Sequence, residues 1–195
     1  MPFTVTTAPS ILPVTVAQVK QQTNVDHSAD DTLLEQYISA AVAHGQQLTG
    51  RYFVETGLQL DLDEFPAGNI SLLPNLQSVG SITYVNDDDE RVTLNADQYT
   101  VKASGIVGHV DPVDSWPEGT DVLVSLVAGW QVVSESVTTP ADIQAWLLVK
   151  VADFYAQRES FVTSKAGVMG VAAMPATFID NLLACYVVPG IGAGI

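Results

Sequence analysis

Cysteine occurs once in this chain, at Cys185, so no intrachain disulfide can form and neither a thiolate zinc site nor a secreted disulfide framework can be built. Basic residues are scarce as well: seven Lys and Arg stand against 22 Asp and Glu, a formal net charge of −15. A surface of that sign repels phosphate backbones and lacks the footprint of a nucleic-acid binder, though it is compatible with standing near DNA without gripping it. Long apolar runs are missing, and nothing approaches the roughly 20 residues that cross a bilayer. The opening MPFTVTTAPS has no charged region followed by an apolar one, so it does not read as a secretion signal. These absences lead us to expect a soluble protein, made in a reducing compartment, with no membrane partner.

Catalytic constellations are also lacking. His27, His44 and His109 fall in three separate predicted elements and form no metal or nucleophile spacing. Gly190, Gly192 and Gly194 precede no helix, so they are not a phosphate loop. Cys185 lies among Leu182, Leu183 and Tyr186, an apolar setting that suits a structural thiol rather than a reactive one. The nearest approach to a site is the run Asp87, Asp88, Asp89, Glu90. A calcium loop needs alternating oxygen ligands and a glycine at its bend, whereas neighbouring residues in an extended chain point to opposite faces. The run therefore reads as the tip of a β hairpin, entered by Ile82 to Val85 and left by Val92 to Leu94. No enzyme, no cofactor and no metal is expected.

What is present describes a folded chain. Of 195 residues 47% are hydrophobic and 15% charged, enough for one domain, or one domain with an insertion. Residues 1–13 contain three prolines and read as an extended arm. Thr15 and Gln18 form a capping box that opens a short helix to about Thr23. A second helix starts near Ser28 and draws one apolar stripe through Leu34, Ile38, Ala41, Gly45 and Leu48, with Leu33, Tyr37 and Val42 flanking it. After Gly50 the period changes to two: Leu58, Leu60 and Leu62 face one way, Gln59, Asp61 and Asp63 the other. Strands are expected at 70–73, 78–85, 91–94, 99–103, 105–110 and 121–129, separated by turn sequences such as FPAGN and WPEGT. A third helix is expected with Thr139 as cap and Pro140 at its first position, carrying Ile143, Trp146, Leu147, Val151 and Phe154 and ending near Arg158 or Glu159. A fourth opens at Pro175, with Phe178, Ile179, Leu182 and Leu183 as its buried face, before a charge-free tail. The expected class is α+β: a helical body (1–56 and 135–195, two helices at each end) with an inserted antiparallel β domain (57–134).

Taken in order, PVTVAQVKQQTNVDHSADDTLLEQYISAAVAHGQQLTGR, LDLDEFPAG, ISLLPNLQSVGSITYVNDDDERVTLNADQYTV, SWPEGTDVLVSLVAGW and TPADIQAWLLVKVADFYAQRES resemble the head-to-tail connector (neck adaptor) proteins of tailed bacteriophages, in the group with a β insertion. The match is less clear after Ser160. The resemblance implies a structural adaptor in the virion neck, made in the bacterial host cytoplasm. It further implies a homo-oligomeric ring, commonly of twelve, docked beneath the portal protein, receiving a stopper or tail protein below, with DNA passing through unbound. Under that reading Phe178, Leu182, Tyr186, Val187, Val188, Ile191 and Ile195 are portal-docking candidates. Leu33, Tyr37, Val42, Trp146 and Phe154 are inter-subunit candidates, and the acids 87–90 mark the hairpin tip. Two other readings are another phage ring protein, such as a stopper or tail-completion protein, and an acidic metal- or carbohydrate-binding module using Asp61, Asp63 or the 87–90 run.

Overall fold

The computed structural model describes residues 3–103, 107–134, 136–157 and 179–188. Two compact units divide the chain, residues 1–11 with 51–138 and residues 12–50 with 139–195. The fold is α+β.

The first unit is built on a five-stranded antiparallel sheet. Its strands are β1 (Phe3–Thr7), β2 (Thr56–Glu64), β4 (Leu76–Val85), β5 (Arg91–Thr93) and β8 (Thr120–Ala128), in the order β1-β2-β8-β4-β5. Alternation in β2 and β8 puts Leu58, Leu60, Val122, Val124 and Leu126 on the buried face, and the register fixes it by opposing Leu58 to Leu126 and Leu60 to Val124. A slip of one residue would expose all five, at about 1.5–3 kcal/mol each. A smaller sheet, β3 (Ile70–Ser71), β6 (Tyr99–Lys102) and β7 (His109–Pro112), contributes Ile70 and Val110 to the same core. Short strands β9 (Val132–Val133) and β10 (Ser136–Val137) pair on their own.

Gly129 is the tight point of this unit. It has φ +113°, and a Cβ there would lie 2.2 Å from the carbonyl oxygen of Val54, so both the conformation and the space demand glycine. Its amide donates to the Asn75 carbonyl at 2.9 Å, and its carbonyl accepts from Gln77 Nε2 at 2.7 Å.

The extended arm expected at the N-terminus is a strand of this sheet. Phe3, Thr4 and Val5 pair with Leu60, Gln59 and Leu58. A run of only five residues gives little period to read, and its partner lies some fifty positions on, so proline content dominated the local signal.

The second unit contains α1 (Val16–Thr23), α2 (Asp31–Thr49) and α3 (Ala141–Ala156). The capping box of α1 is present: Gln18 N–H donates to Thr15 Oγ1 at 3.2 Å and Thr15 N–H to Gln18 Oε1 at 2.7 Å. Asn24 ends that helix in the left-handed region, and Gly50 ends α2 in the same way, its N–H bonded to the Gln46 carbonyl at 2.8 Å. Leu34, Ile38, Ala41 and Gly45 are buried along α2 as the stripe requires, with Thr49 rather than Leu48 completing it. For α3, Pro140 rather than Thr139 is the capping residue; Thr139 is buried and its carbonyl accepts from Gln144 Nε2 at 2.9 Å. Helix α3 ends at Ala156, and Arg158 and Glu159 lie outside the described residues. Beyond it, Asn181–Tyr186 forms a 3₁₀ segment in which Leu183 is buried. The expected opening of that helix, Pro175 with Phe178, falls outside the described residues.

Candidate interaction surfaces

The acidic run occupies the loop between β4 and β5, where Val85 pairs with Arg91, Tyr84 with Val92 and Thr83 with Thr93. Asn86 organises the loop. Its Oδ1 accepts from the amides of Asp88 at 3.0 Å and Glu90 at 2.9 Å, while its own N–H donates to the Glu90 carbonyl at 3.0 Å. Asp89 turns the chain with φ +58°, a conformation that Asp tolerates. The side-chain amide oxygen of Asn86 thus takes up the inward N–H groups, and Asp87, Asp88, Asp89 and Glu90 are left exposed around the tip. Among the described residues no group of three or more His, Cys, Asp or Glu is placed to hold a metal ion.

Two cations of the sheets are engaged: Arg91, on the outgoing strand of this hairpin, with Asp121, and Lys102, in the smaller sheet, with Asp111 at 2.7 Å. Hydrogen bonding from the Lys102 ammonium holds the Asp111 carboxyl below the usual carboxylate range. His109 Nε2 lies 3.6 Å from the same carboxylate.

The helical unit redistributes the other candidates. Trp146 is wholly buried, its indole N–H donating to Asp180 Oδ1 at 3.1 Å and its ring stacked on His44 at a centroid distance of 5.9 Å. It is an interior residue and cannot serve as an inter-subunit contact. It is a candidate by sequence because α3 carries more apolar surface than one neighbour covers, but its ring is packed inside the fold and the Asp180 carboxylate accepts from its N–H there. Tyr37 and Phe154 meet each other at 6.0 Å and, like Leu33 and Val42, are half-buried. Val188 is also interior: its side chain is 2% exposed and its N–H donates to the Thr49 carbonyl at 3.1 Å, at the end of α2. Leu182 and Val187 are exposed and Tyr186 is half-buried, while Phe178, Ile191 and Ile195 lie outside the described residues. Burial raises the Tyr186 phenol above its ordinary range. Leu182, read on the buried face of this helix, and Cys185, read as a structural thiol in an apolar setting, are both exposed, because the 3₁₀ geometry of the segment turns Leu183 inward and its neighbours out.

By sequence FPAGN and WPEGT read only as turns. The structure brings their aromatics together: Phe65 stacks on Trp116 with centroids 5.1 Å apart and planes at 12°, and Tyr84 meets Phe65 edge-on at 5.4 Å. Both turns have an aromatic residue directly before a proline, Phe65-Pro66 and Trp116-Pro117, and that shared dipeptide was the signal available.

The family described as Phage gp6-like head-tail connector protein matches residues 13–80. No curated protein matches the chain. Among solved structures, a chain from the "Neck of empty GTA particle computed with C6 symmetry" superposes with a TM-score of 0.79 at 18% identity, covering 100% of this chain and 99% of its own. A chain from the "Virion of native gene transfer agent (GTA) particle" gives 0.78 at 18% identity with the same coverage. One from the "Neck of native GTA particle computed with C12 symmetry" gives 0.75 at 20% identity, again with 100% and 99% covered. The resemblance to head-tail connector proteins read from the sequence therefore stands, on a family match over the first two helices and the strands that follow, and on a fold shared end to end with those chains.

Proposed function

We propose that this chain is a structural adaptor of a phage-like particle neck. Copies form a ring, twelve in number, between the portal of the DNA-filled head and the stopper or tail, and the ring lines the DNA passage. The observation that carries the reading is the fold match over the full chain to proteins of particle necks, two of them from structures computed with C6 and C12 symmetry. A ring of identical subunits needs a heterologous contact, one surface meeting a different surface of the next copy, and the half-buried Leu33, Tyr37, Val42 and Phe154 offer apolar area for it. The net charge of −15 supports a conduit wall that repels phosphate, with the 87–90 tips repeated around the axis. The protein acts by shape and charge and catalyses nothing. It is synthesised in the bacterial host cytoplasm and ends in the virion neck.

Portal docking is assigned to the exposed Leu182 and Val187, with Tyr186 and the charge-free residues 189–195. Since Val188 serves the fold, the informative truncation starts after it. Removal of residues 189–195 is expected to leave circular dichroism unchanged and to abolish binding to portal particles in a co-sedimentation assay. Unimpaired binding would move the anchor elsewhere. Electron cryomicroscopy of the particle tests the larger claim, which is lost if the chain is found in the capsid shell or the distal tail.

A further inference from the structure

At the end of the β unit where β2 stops and β8 begins, the two proline turns border an open cleft of about 520 Å³. The Phe65–Trp116 stack forms its apolar wall, and Trp116 is fixed there because its indole N–H donates to the Gly68 carbonyl at 2.6 Å, tying one turn to the other. Gly119 lets the second turn close in: a Cβ at that position would lie 2.4 Å from Tyr84 Cδ2. The wall is thus organised before anything binds. Glu64, Asp114 and Glu118 line the same cleft, all exposed, and among the described residues none of the three has an ion-pair partner.

We propose that this cleft binds a cationic protein segment, an extended stretch bearing Arg or Lys. Such a side chain has an apolar stem suited to the Trp116 and Phe65 wall and a charged head suited to the rim of Glu64, Asp114 and Glu118. A second copy of this chain is a poor source for it. Each described cation is already engaged: Lys20 with Asp31, Arg91 with Asp121, Lys102 with Asp111, Arg51 with Asn75, and Lys150 over the Trp146 ring. With seven Lys and Arg against 22 Asp and Glu in the whole chain, copies of it repel one another at such a rim, and the occupant is a different protein. The inference rests on the cleft alone and is independent of the neck assignment.

The test uses the full-length, ¹⁵N-labelled chain, with acetyl-Gly-Arg-Pro-Arg-Gly-amide as probe and the same peptide with Glu in place of Arg as control. The expected result is saturable movement of the Trp116 indole N–H resonance and of the amides around it with the Arg peptide, none with the Glu peptide, and weakening as salt rises. The triple variant Glu64→Gln, Asp114→Asn, Glu118→Gln should bind the Arg peptide about tenfold more weakly with an unchanged fold, since three exposed charges each contribute a fraction of a kcal/mol. Three results would overturn the proposal: no response at Trp116, equal movement at residues 87–90 with no effect of the triple variant, or tighter binding of the neutral oligosaccharide cellotetraose at the same resonances.

Discussion

The two units are held together by different means. In the β unit, β8 lies between β2 and β4 and is paired with both along most of its length, with register shifts on the β4 side, so most of its side chains are positioned by a ladder of backbone contacts. In the helical unit the backbone bonds run along each helix, and the bond from Val188 N–H to the Thr49 carbonyl ties the end of the chain to α2 without setting one helix against another. The arrangement of α1, α2 and α3 depends on side chains: Trp146 on Asp180 and His44, Tyr155 on Asp30, Tyr37 on Phe154. Loss of one side chain should therefore be absorbed locally in the sheet but felt throughout the helical unit, unless the change strains the sheet's backbone.

Trp146→Ala should give the largest effect, about 3–5 kcal/mol of lost stability, because it empties a fully buried site and leaves the Asp180 carboxylate without its donor. Hydrogen exchange should rise across α1 to α3 while β2, β8 and β4 stay protected; equal loss in both regions would break the distinction. Gly129→Ala is the converse, with about 3 kcal/mol expected from a strained conformation and a backbone clash, and exchange rising first in the β unit. Tyr155→Phe should cost about 1.5 kcal/mol by deleting the 2.6 Å hydrogen bond to Asp30, read as a lower urea midpoint. Thr15→Ala should cost about 1 kcal/mol through the lost cap of α1.

The smallest effect concerns pH. The folded-state pKa of Asp111 is lowered by Lys102, so its contribution is present above the ordinary carboxylate pKa of about 3.9 and is lost as pH falls through the lower folded value. Urea midpoints of the parent and of Asp111→Asn should differ at neutral pH and converge on acidification below that range. A difference that persists at low pH would mean that the Lys102 pair is not its source.

The same contrast explains what could be read beforehand. The capping box at Thr15 and Gln18, the stripe of α2 and the alternation of β2 and β8 were legible, because each is encoded within a few neighbouring residues. Trp146 was legible as part of the apolar face of α3 but not as a wholly interior residue: α3 is apolar on several sides, and the partner that holds its indole N–H, Asp180, lies 34 positions away. The burial of Val188 and the pairing of β1 depend on equally distant partners. At the candidate surfaces the acidic tip was visible as a run, whereas the aromatic wall of the cleft required two turns 48 residues apart to be brought together by the hydrogen bond from Trp116 to Gly68.

The pairing of β1 with β2 sets an order of events during synthesis. Residues 3–7 are made before the whole of α1 and α2, yet their partner starts at Thr56 and the strand that supports it at Thr120. At roughly 5–20 residues per second, the first strand waits several seconds for its neighbour and about as long again before the sheet can close. The helices between can form meanwhile, so the nascent chain holds a short, uncharged, unpaired strand ahead of a growing helical segment. That interval is when this segment is open to wrong partners, and when a chaperone would have most to do.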